Sequence, residues 1–551
     1  MGRAGTLHIQ VERLGKQETF APEEILAMQL SKLKSMAEDF VQGEVGKAVV
    51  SIPPGSSAIQ RQAIKDACEI AGVRDPVLLS ETSAAAVYYT FYSHAHEKLG
   101  DSDPKTILLV DIGAGATSVA VTSIEAGVID VKAVASDHRL GGDTFDQLFV
   151  NYVAKELQMT HKVDLGRRAR TMSRLATVCE KAKRALSSAQ KAQIDLEGVS
   201  ENINIATMVI TRDTFESICS GLCRAMAELV TTVISQSGLN KGDIHEVLLV
   251  GGATRMPCVV ASIQSSFLPH SPTPVTIRNL DEAVAYGCAI HSAIRSGHSE
   301  EPLDNMILLD VLHHSLGVAV IPKSDPFSKD ADCLPADGGS PHESILKTVV
   351  KRNTTIPAKQ REILSTATYD QTTAHIQVYE GDHDDPSRNT FLGSFELHGI
   401  PKSPFEDQGA KVEVEFDLDG DGSCVVRATH KEYGYATRSL AIRVGTMSQH
   451  AKRAMIERAK MLDEWDRAYE ERTRRRNHLE EYCYSFRDSI EGLGKGVDEC
   501  LQWLDDTSAK PVSEAEFVRQ EELLVALAQR VLPPGYKVVR ETSQSNAPGP
   551  R

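Results

Sequence analysis

Across residues 1–300, short apolar runs alternate with stretches whose apolar positions recur every three to four residues. The runs at 48–52, 106–110 and 247–250 are each bounded by Gly, Pro or a helical pattern. Continuous apolar runs of that length predict buried strands, and their alternation with helices predicts an α/β domain. The pattern changes in 311–445. Val412, Val414, Phe416 and Leu418 alternate with charged residues, which predicts antiparallel strands with one buried and one wet face. Asp419-Gly420-Asp421-Gly422 supplies the following turn. Asp417, Asp419, Asp421 and Gly422 also imitate a calcium loop, but Ala428 stands where the bidentate Glu belongs, so a hairpin is the better reading. Residues 322–344, rich in Pro, Ser, Asp and Gly without a period, predict a flexible loop. From Ser448, a plausible N-cap, the period becomes helical: Met455, Ala459, Leu462, Trp465 and Tyr469, then Leu479, Tyr482, Phe486 and Ile490. Met306 to Leu309, between Asp304 and Asp310, read as a short strand or a hydrophobic linker.

The chain has 551 residues, 41% hydrophobic and 25% charged, which allows several ordinary globular cores. Its net charge of -16 argues against general nucleic-acid or anionic-membrane binding. Ten cysteines are scattered without paired metal spacing and fit a reducing compartment, with a cytoplasmic location expected. Cys219 and Cys223 read as structural residues on two faces of one helix turn. No apolar run approaches the ~20 residues that cross a membrane. Met1 to Thr6 formally match a myristoylation pattern, one short enough to arise by chance. Arg472, Arg474, Arg475 and Arg476 read as a solvated helix face, and the residues from Glu541 as a disordered tail.

Two glycine-rich turns carry the candidate chemistry. Asp111-Ile112-Gly113-Ala114-Gly115-Ala116-Thr117-Ser118 follows the apolar run at 106–110, and Gly251-Gly252-Ala253-Thr254-Arg255 follows the run at 247–250. Small residues let backbone N–H groups approach a phosphate, and a carboxylate at a strand end can hold magnesium or water. Either turn alone is an ordinary tight turn. Together they suit a nucleotide held in a cleft between two lobes.

Several segments then occur in one order along the chain. They are Thr19 to Glu24, Gln60 to Ala67, Gly141-Gly142-Asp143-Thr144-Phe145-Asp146, Glu180 to Ser188, Leu249 to Pro257, Asp281 to Gly287, Lys351 to Pro357 and Val378 to Gly381. On these motifs the chain resembles the seventy-kilodalton heat-shock chaperone family from about residue 18 to 533. The resemblance implies a multidomain fold. An N-terminally incomplete actin-like α/β ATPase domain would span 1–300, and a linker 301–310. A β-sandwich peptide-binding domain would span 311–445, an α-helical lid 446–533 and a tail 534–551. It implies ATP or ADP with Mg2+ as ligands. Glu180, Lys183 and Ser187 would clasp adenosine, with Arg184 stacking nearby and Gly251, Gly252, Arg255 and Asp281 completing that side. Gly113 and Gly115 would line phosphates, with Gly141 and Gly142 also at the nucleotide. Glu81 and Asp111 would orient water and magnesium, with Asp111 as the metal ligand. Arg61 would relay nucleotide state to the linker, which ends at Asp310. Val318, Ile321, Leu364, Ala367 and Ala374 would line a peptide pocket, although periodicity alone reads them as sandwich core.

The departures from the family bear on activity. The chain begins beyond the family's first phosphate loop and catalytic lysine. Ala116 stands for a Thr, Ser118 for an Asp, and Thr82 for the Pro after the catalytic Glu, while Thr117 should face away from the phosphates. Losing one charge-stabilising group commonly costs ~10²–10³ in rate, so weak ATP binding and impaired hydrolysis are expected. Ala374 stands for a larger aliphatic residue and predicts a wider pocket. The expected function is a chaperone for unfolded or extended polypeptides, an ATPase by resemblance only. J-domain co-chaperones and nucleotide-exchange factors are the partners the resemblance implies, with no nucleic acid and no membrane. The alternative is a non-catalytic co-chaperone or nucleotide-exchange partner of a complete family member.

Overall fold

A computed structural model describes residues 7–13, 16–96, 104–161, 169–199, 206–268, 273–276, 281–298, 303–322, 332–336, 344–404, 408–432, 435–443, 447–489, 494–507 and 512–531. The chain divides into two compact units, Met1–Ser448 and Gln449–Arg551. The start pattern Met1 to Thr6, Ile490 and the tail lie outside the described residues.

The first unit is organised by a seven-stranded sheet in the order Thr273–Thr276, Glu246–Val250, Lys105–Ile112, Thr117–Glu125, Val128–Asp137, Ile307–Val311, Thr355–Ile356. Alternate residues of its apolar strands enter two different cores. Leu108, Val110, Val247 and Leu249 join one, and Ile107, Leu109, Leu248 and Val250 join the other. The period of two along a strand forces this separation and makes these runs apolar throughout. The helices Gly142–His161, Ala169–Leu186, Arg212–Gln236 and Pro257–Ser265 cover the first face. Glu81–His96 and Ala283–Arg295 cover the second. The latter two approach closely at Gly287, where a side chain would run into the Ala84 carbonyl. The run at 48–52 forms Val49–Ile52, paired parallel with Val77–Ser80 in a sheet of its own.

Two expectations need correction here. Cys219 and Cys223 do not take two faces of the Arg212–Gln236 helix; both are buried in the same core, because residues four apart share a face. That helix is also long and apolar enough to cross a membrane by length and composition. Its apolar residues Phe215, Met226, Val230 and Val233 pack into the core, which accounts for its character.

The remainder of the first unit holds a four-stranded and a five-stranded sheet around one shared core. Val412, Val414, Phe416 and Leu418 all enter it from the strand Lys411–Leu418. Asp419 closes the hairpin, its carboxylate accepting from the backbone N–H of Asp421 (3.0 Å) and Ser423 (2.8 Å). Ala428 is buried in the next strand. Within the expected loop 322–344, Cys333–Leu334 is instead a strand parallel to Ser365 and Thr366. Its two apolar residues are buried there. Residues 323–331 and 337–343 of that stretch lie outside the described ones.

The second unit contains the helices Gln449–Ser489, Gly494–Asp506 and Glu514–Val531. Leu479, Cys483, Phe486, Val497, Cys500, Leu504, Phe517 and Leu524 form its core. Ser448 directly precedes the first of these helices. On the arginine run, Arg474 and Arg475 pair with Glu471, and Arg472 lies over the Tyr469 ring.

Candidate functional site: a cleft, a docking joint and a sealed core

The two glycine turns meet because their strands pair parallel and in register, with Val250 beside Asp111. Both turns therefore leave the same end of the sheet, where ligands of open α/β sheets bind. Gly251 has φ +86, and any side chain there would strike the Ile112 carbonyl and the Asp111 carboxylate. Gly141 lies equally tight against the backbone of Ala114 to Ala116. Backbone bonds lock the loops: Gly142 N–H donates to Gly113 O (3.0 Å), and Asp143 N–H to Ala114 O (2.8 Å).

Two adjoining cavities open here. One, about 450 Å³, is walled by Gly113, Gly142, Asp146, Glu180, Lys183, Arg184, Ser187, Gly252, Arg255 and Asp281. The other, about 510 Å³, is walled by Glu81, Asp111, Gly113, Gly115, Ala116, Ser118, His138, Gly251, Gly252 and Asp281. The expected nucleotide residues are thus brought together, except that Gly141 supports the wall from behind. Three cations of the first cavity are already paired: Lys183 with Asp146, Arg184 with Glu180 and Arg255 with Asp281, each at 2.6 Å. In the second, burial and then the Asp111 charge push Glu81 up to about 7, and burial pushes Asp111 up to about 6. Thr117 is fully buried and donates to Leu140 O (2.5 Å), so its hydroxyl points away from the cleft. Thr82 is buried beside Ser80, 3.3 Å between hydroxyl oxygens. Asp146, His138 and Pro53 also reach the cavities and were not assigned from sequence. Asp146 stood inside a quoted motif, whereas His138 carried no periodic or motif signal.

A second cluster joins the first lobe to the β-rich part. Ser57 caps the helix Ala58–Ile70, its hydroxyl accepting from Gln60 N–H and Gln60 answering at Ser57 N–H (2.8 Å). The cap aims Arg61 inward, where it is buried. Its Nε donates to Ser56 O (3.1 Å), Nη1 to Asp421 O (3.4 Å), and Nη2 lies 3.3 Å from His313 Nδ1. Lys65 reaches Asp421 (3.1 Å) and Ser423 Oγ (2.7 Å) on the hairpin tip. Ala58 N–H donates to the buried Glu380 carboxylate (2.8 Å), and Ser83 Oγ to Asp310 (2.9 Å). Burial lowers Arg61, opposed by Glu380, Asp310, Asp419 and Asp421; burial also raises Asp310 and Glu380. Ile307 to Leu309 pair parallel with Val128 to Asp130, and Asp310 and Val311 pair with Ile356 and Thr355. Residues 307–309 are therefore part of a strand, Ile307–Val311, that carries the first sheet into the β-rich part, with Met306 just before it.

The five residues read as a peptide pocket do not share an open surface. Val318, Leu364 and Ala374 are fully buried in the sandwich core, Ala374 opposite Leu397. Ile321 is half-buried and bridged to Cys333, while Ala367 is exposed. In this structure the core reading from periodicity describes the first three.

The Hsp70 protein family model matches residues 2–524. The chain belongs to the Hsp70 family. It is 35% identical to a heat shock 70 kDa protein of Neurospora crassa, covering 96% of this chain and 79% of that one. It is 34% identical to a heat shock 70 kDa protein of Emericella nidulans, covering 99% and 82%. Against heat shock cognate 70 kDa protein 3 of Dictyostelium discoideum the identity is 36%, covering 96% and 81%. This Hsp70 is a divergent member, with mixed α/β content and several sheets and helices.

Proposed function

We propose that this divergent Hsp70 is a chaperone for extended polypeptide segments, in which an actin-like nucleotide domain binds ATP or ADP weakly and hydrolyses little. The observation that carries the reading is the shared sheet. The strand Ile307–Val311 extends the nucleotide domain's sheet and hands it on to Thr355–Ile356 of the β-rich part. A change at the cleft therefore has a rigid path to the sandwich.

Weak binding follows from charge. The adenosine side is nearly complete by resemblance, but its cations are already paired, and the phosphate side presents the carboxylates Glu81, Asp111 and Asp281 beside His138. Among the described residues no three His, Cys, Asp or Glu groups assemble as a metal cage. The elevated Glu81 and Asp111 fit a divalent cation that would offset their charge. Mg2+ would arrive with the nucleotide, held by Asp111 and waters, and would neutralise phosphate charge. Ser118 and Ala116 cannot add a carboxylate or a Thr hydroxyl to that shell, and Thr117 is turned away. Calorimetry with ATP and ADP and a single-turnover assay test this. Weak binding with almost no turnover is expected; turnover at the rate of a complete family member, abolished in Glu81→Ala, would overturn it.

The same reading has J-domain and nucleotide-exchange proteins as partners, in a reducing, cytoplasmic setting. The sealed state of Val318, Leu364 and Ala374 favours a second reading, a non-catalytic partner of a complete family member. A labelled Leu-rich peptide separates them: binding supports the chaperone, and a folded protein that binds none supports the partner.

A further inference from the structure

We propose that His138 is the phosphate-recognising side chain of the cleft, its imidazole contacting the phosphate chain of a bound nucleotide. The inference rests on the nucleotide reading above and assigns a group that reading leaves without a role. His138 lines the cavity that holds both glycine turns and the Glu81 and Asp111 carboxylates. Among the described residues lining that cavity, it is the one side chain able to carry positive charge. The charged groups around it are Glu81, Asp111 and Asp281 on the cavity wall, and Asp137 and Arg139 on either side in sequence.

The neighbouring cations are committed elsewhere. Arg139 is tied to the Asp137 carboxylate through Nε (3.2 Å) and Nη2 (3.1 Å). Lys183, Arg184 and Arg255 are held by carboxylates of their own cavity. No hydrogen bond or ion pair occupies the His138 ring among the described residues. The residue is exposed and lies beside Gly55 at the cavity. A side chain on Gly55 would sit 3.1 Å from His138 Nε2, so the imidazole packs against the backbone of the loop that follows Val49–Ile52. A phosphate entering a wall of carboxylates meets net repulsion, and the His138 imidazole is the hydrogen-bond donor on that wall able to offset it. Charge-assisted hydrogen bonds to phosphate are the stronger class.

The test compares ADP with adenosine on the full chain, by calorimetry with a metal chelator present so that no divalent cation masks the side chain. The variants are His138→Ala and His138→Arg, with melting temperatures checked against wild type. The expected result is about a tenfold fall in the ADP-to-adenosine affinity ratio for His138→Ala, with adenosine affinity unchanged and the ratio restored in His138→Arg. If adenosine and ADP both bind but His138→Ala leaves the ratio unchanged, the assignment of His138 is overturned while the nucleotide reading stands. If wild type binds neither, the nucleotide reading falls and this inference with it.

Discussion

Glu81 and Asp111 share a partly buried cleft, and burial, with the Asp111 charge acting on Glu81, keeps their protons on longer than usual. A carboxyl whose folded pKa is raised favours the fold at low pH, and that contribution is lost as pH rises through the folded value. For Glu81 the loss runs from its ordinary 4.5 to about 7. At roughly 1.4 kcal/mol per pKa unit, the penalty above that window is about 3 kcal/mol at most. Glu81→Gln keeps the shape and removes the ionisation. Its melting temperature is expected to match wild type at pH 5 and exceed it by a few degrees at pH 8. An equal difference at both pH values would show that packing, not charge, is responsible. Gly251 and Gly113 were legible in the sequence because a turn after a buried strand needs small residues. His138 was not, because a lone histidine beside a glycine pair has no pattern until the Gly55 loop is folded against it.

The turn Asp419 to Gly422 shows how an element acquires a role its own sequence does not state. Its composition predicts a hairpin and its local bonds confirm one. Its contact with Lys65 spans 356 positions of sequence and is invisible to any local pattern. Both partners are largely shielded, at 16% and 18% side-chain exposure, so the pair should count for more than an open surface bridge. A double-mutant cycle of Lys65→Ala and Asp421→Ala, read by hydrogen exchange of the Ile307–Val311 amides, is expected to give a coupling of about 1 kcal/mol. Additive effects would mean that the hairpin tip does not hold the joint. Of the seven-stranded sheet, the strands at 106–110 and 247–250 were legible as continuous apolar runs. The 306–309 segment stayed ambiguous, because four apolar residues between two Asp acquire strand identity only from the partners Val128 to Asp130. The pocket residues show the opposite limit: Val318, Leu364 and Ala374 have the alternation of core strands, and their burial follows it.

Across the first unit, the joint between the Ala58–Ile70 helix, the Ile307–Val311 strand and the β-rich part is built from ionisable groups and should respond to pH. His313 is buried, its Nδ1 facing Arg61, while Nε2 has no partner. Burial, and then Arg61, His314 and Arg352, hold it well below its ordinary 6.5. A histidine with a lowered folded pKa supports the joined state above 6.5 and withdraws that support as pH falls. Asp310 and Glu380, both raised, act in the opposite direction. His313→Gln keeps an acceptor for Arg61 without a titrating ring, so the linker strand should be less open to protease at pH 5.5 in the variant than in wild type. Equal cleavage of the two at pH 5.5 and 7.5 would exclude the histidine as the sensitive group. The most direct measurement of the function is the dissociation rate of a labelled Leu-rich peptide from the full chain with and without ATP and Mg2+. A ligand shifts a conformational equilibrium only by its differential affinity for the two states, and a cleft with Ala116 and Ser118 in place of the family's Thr and Asp should offer little. Peptide binding with less than about a twofold change in release on adding ATP is the predicted result; a large ATP-driven acceleration, or no peptide binding at all, would contradict it.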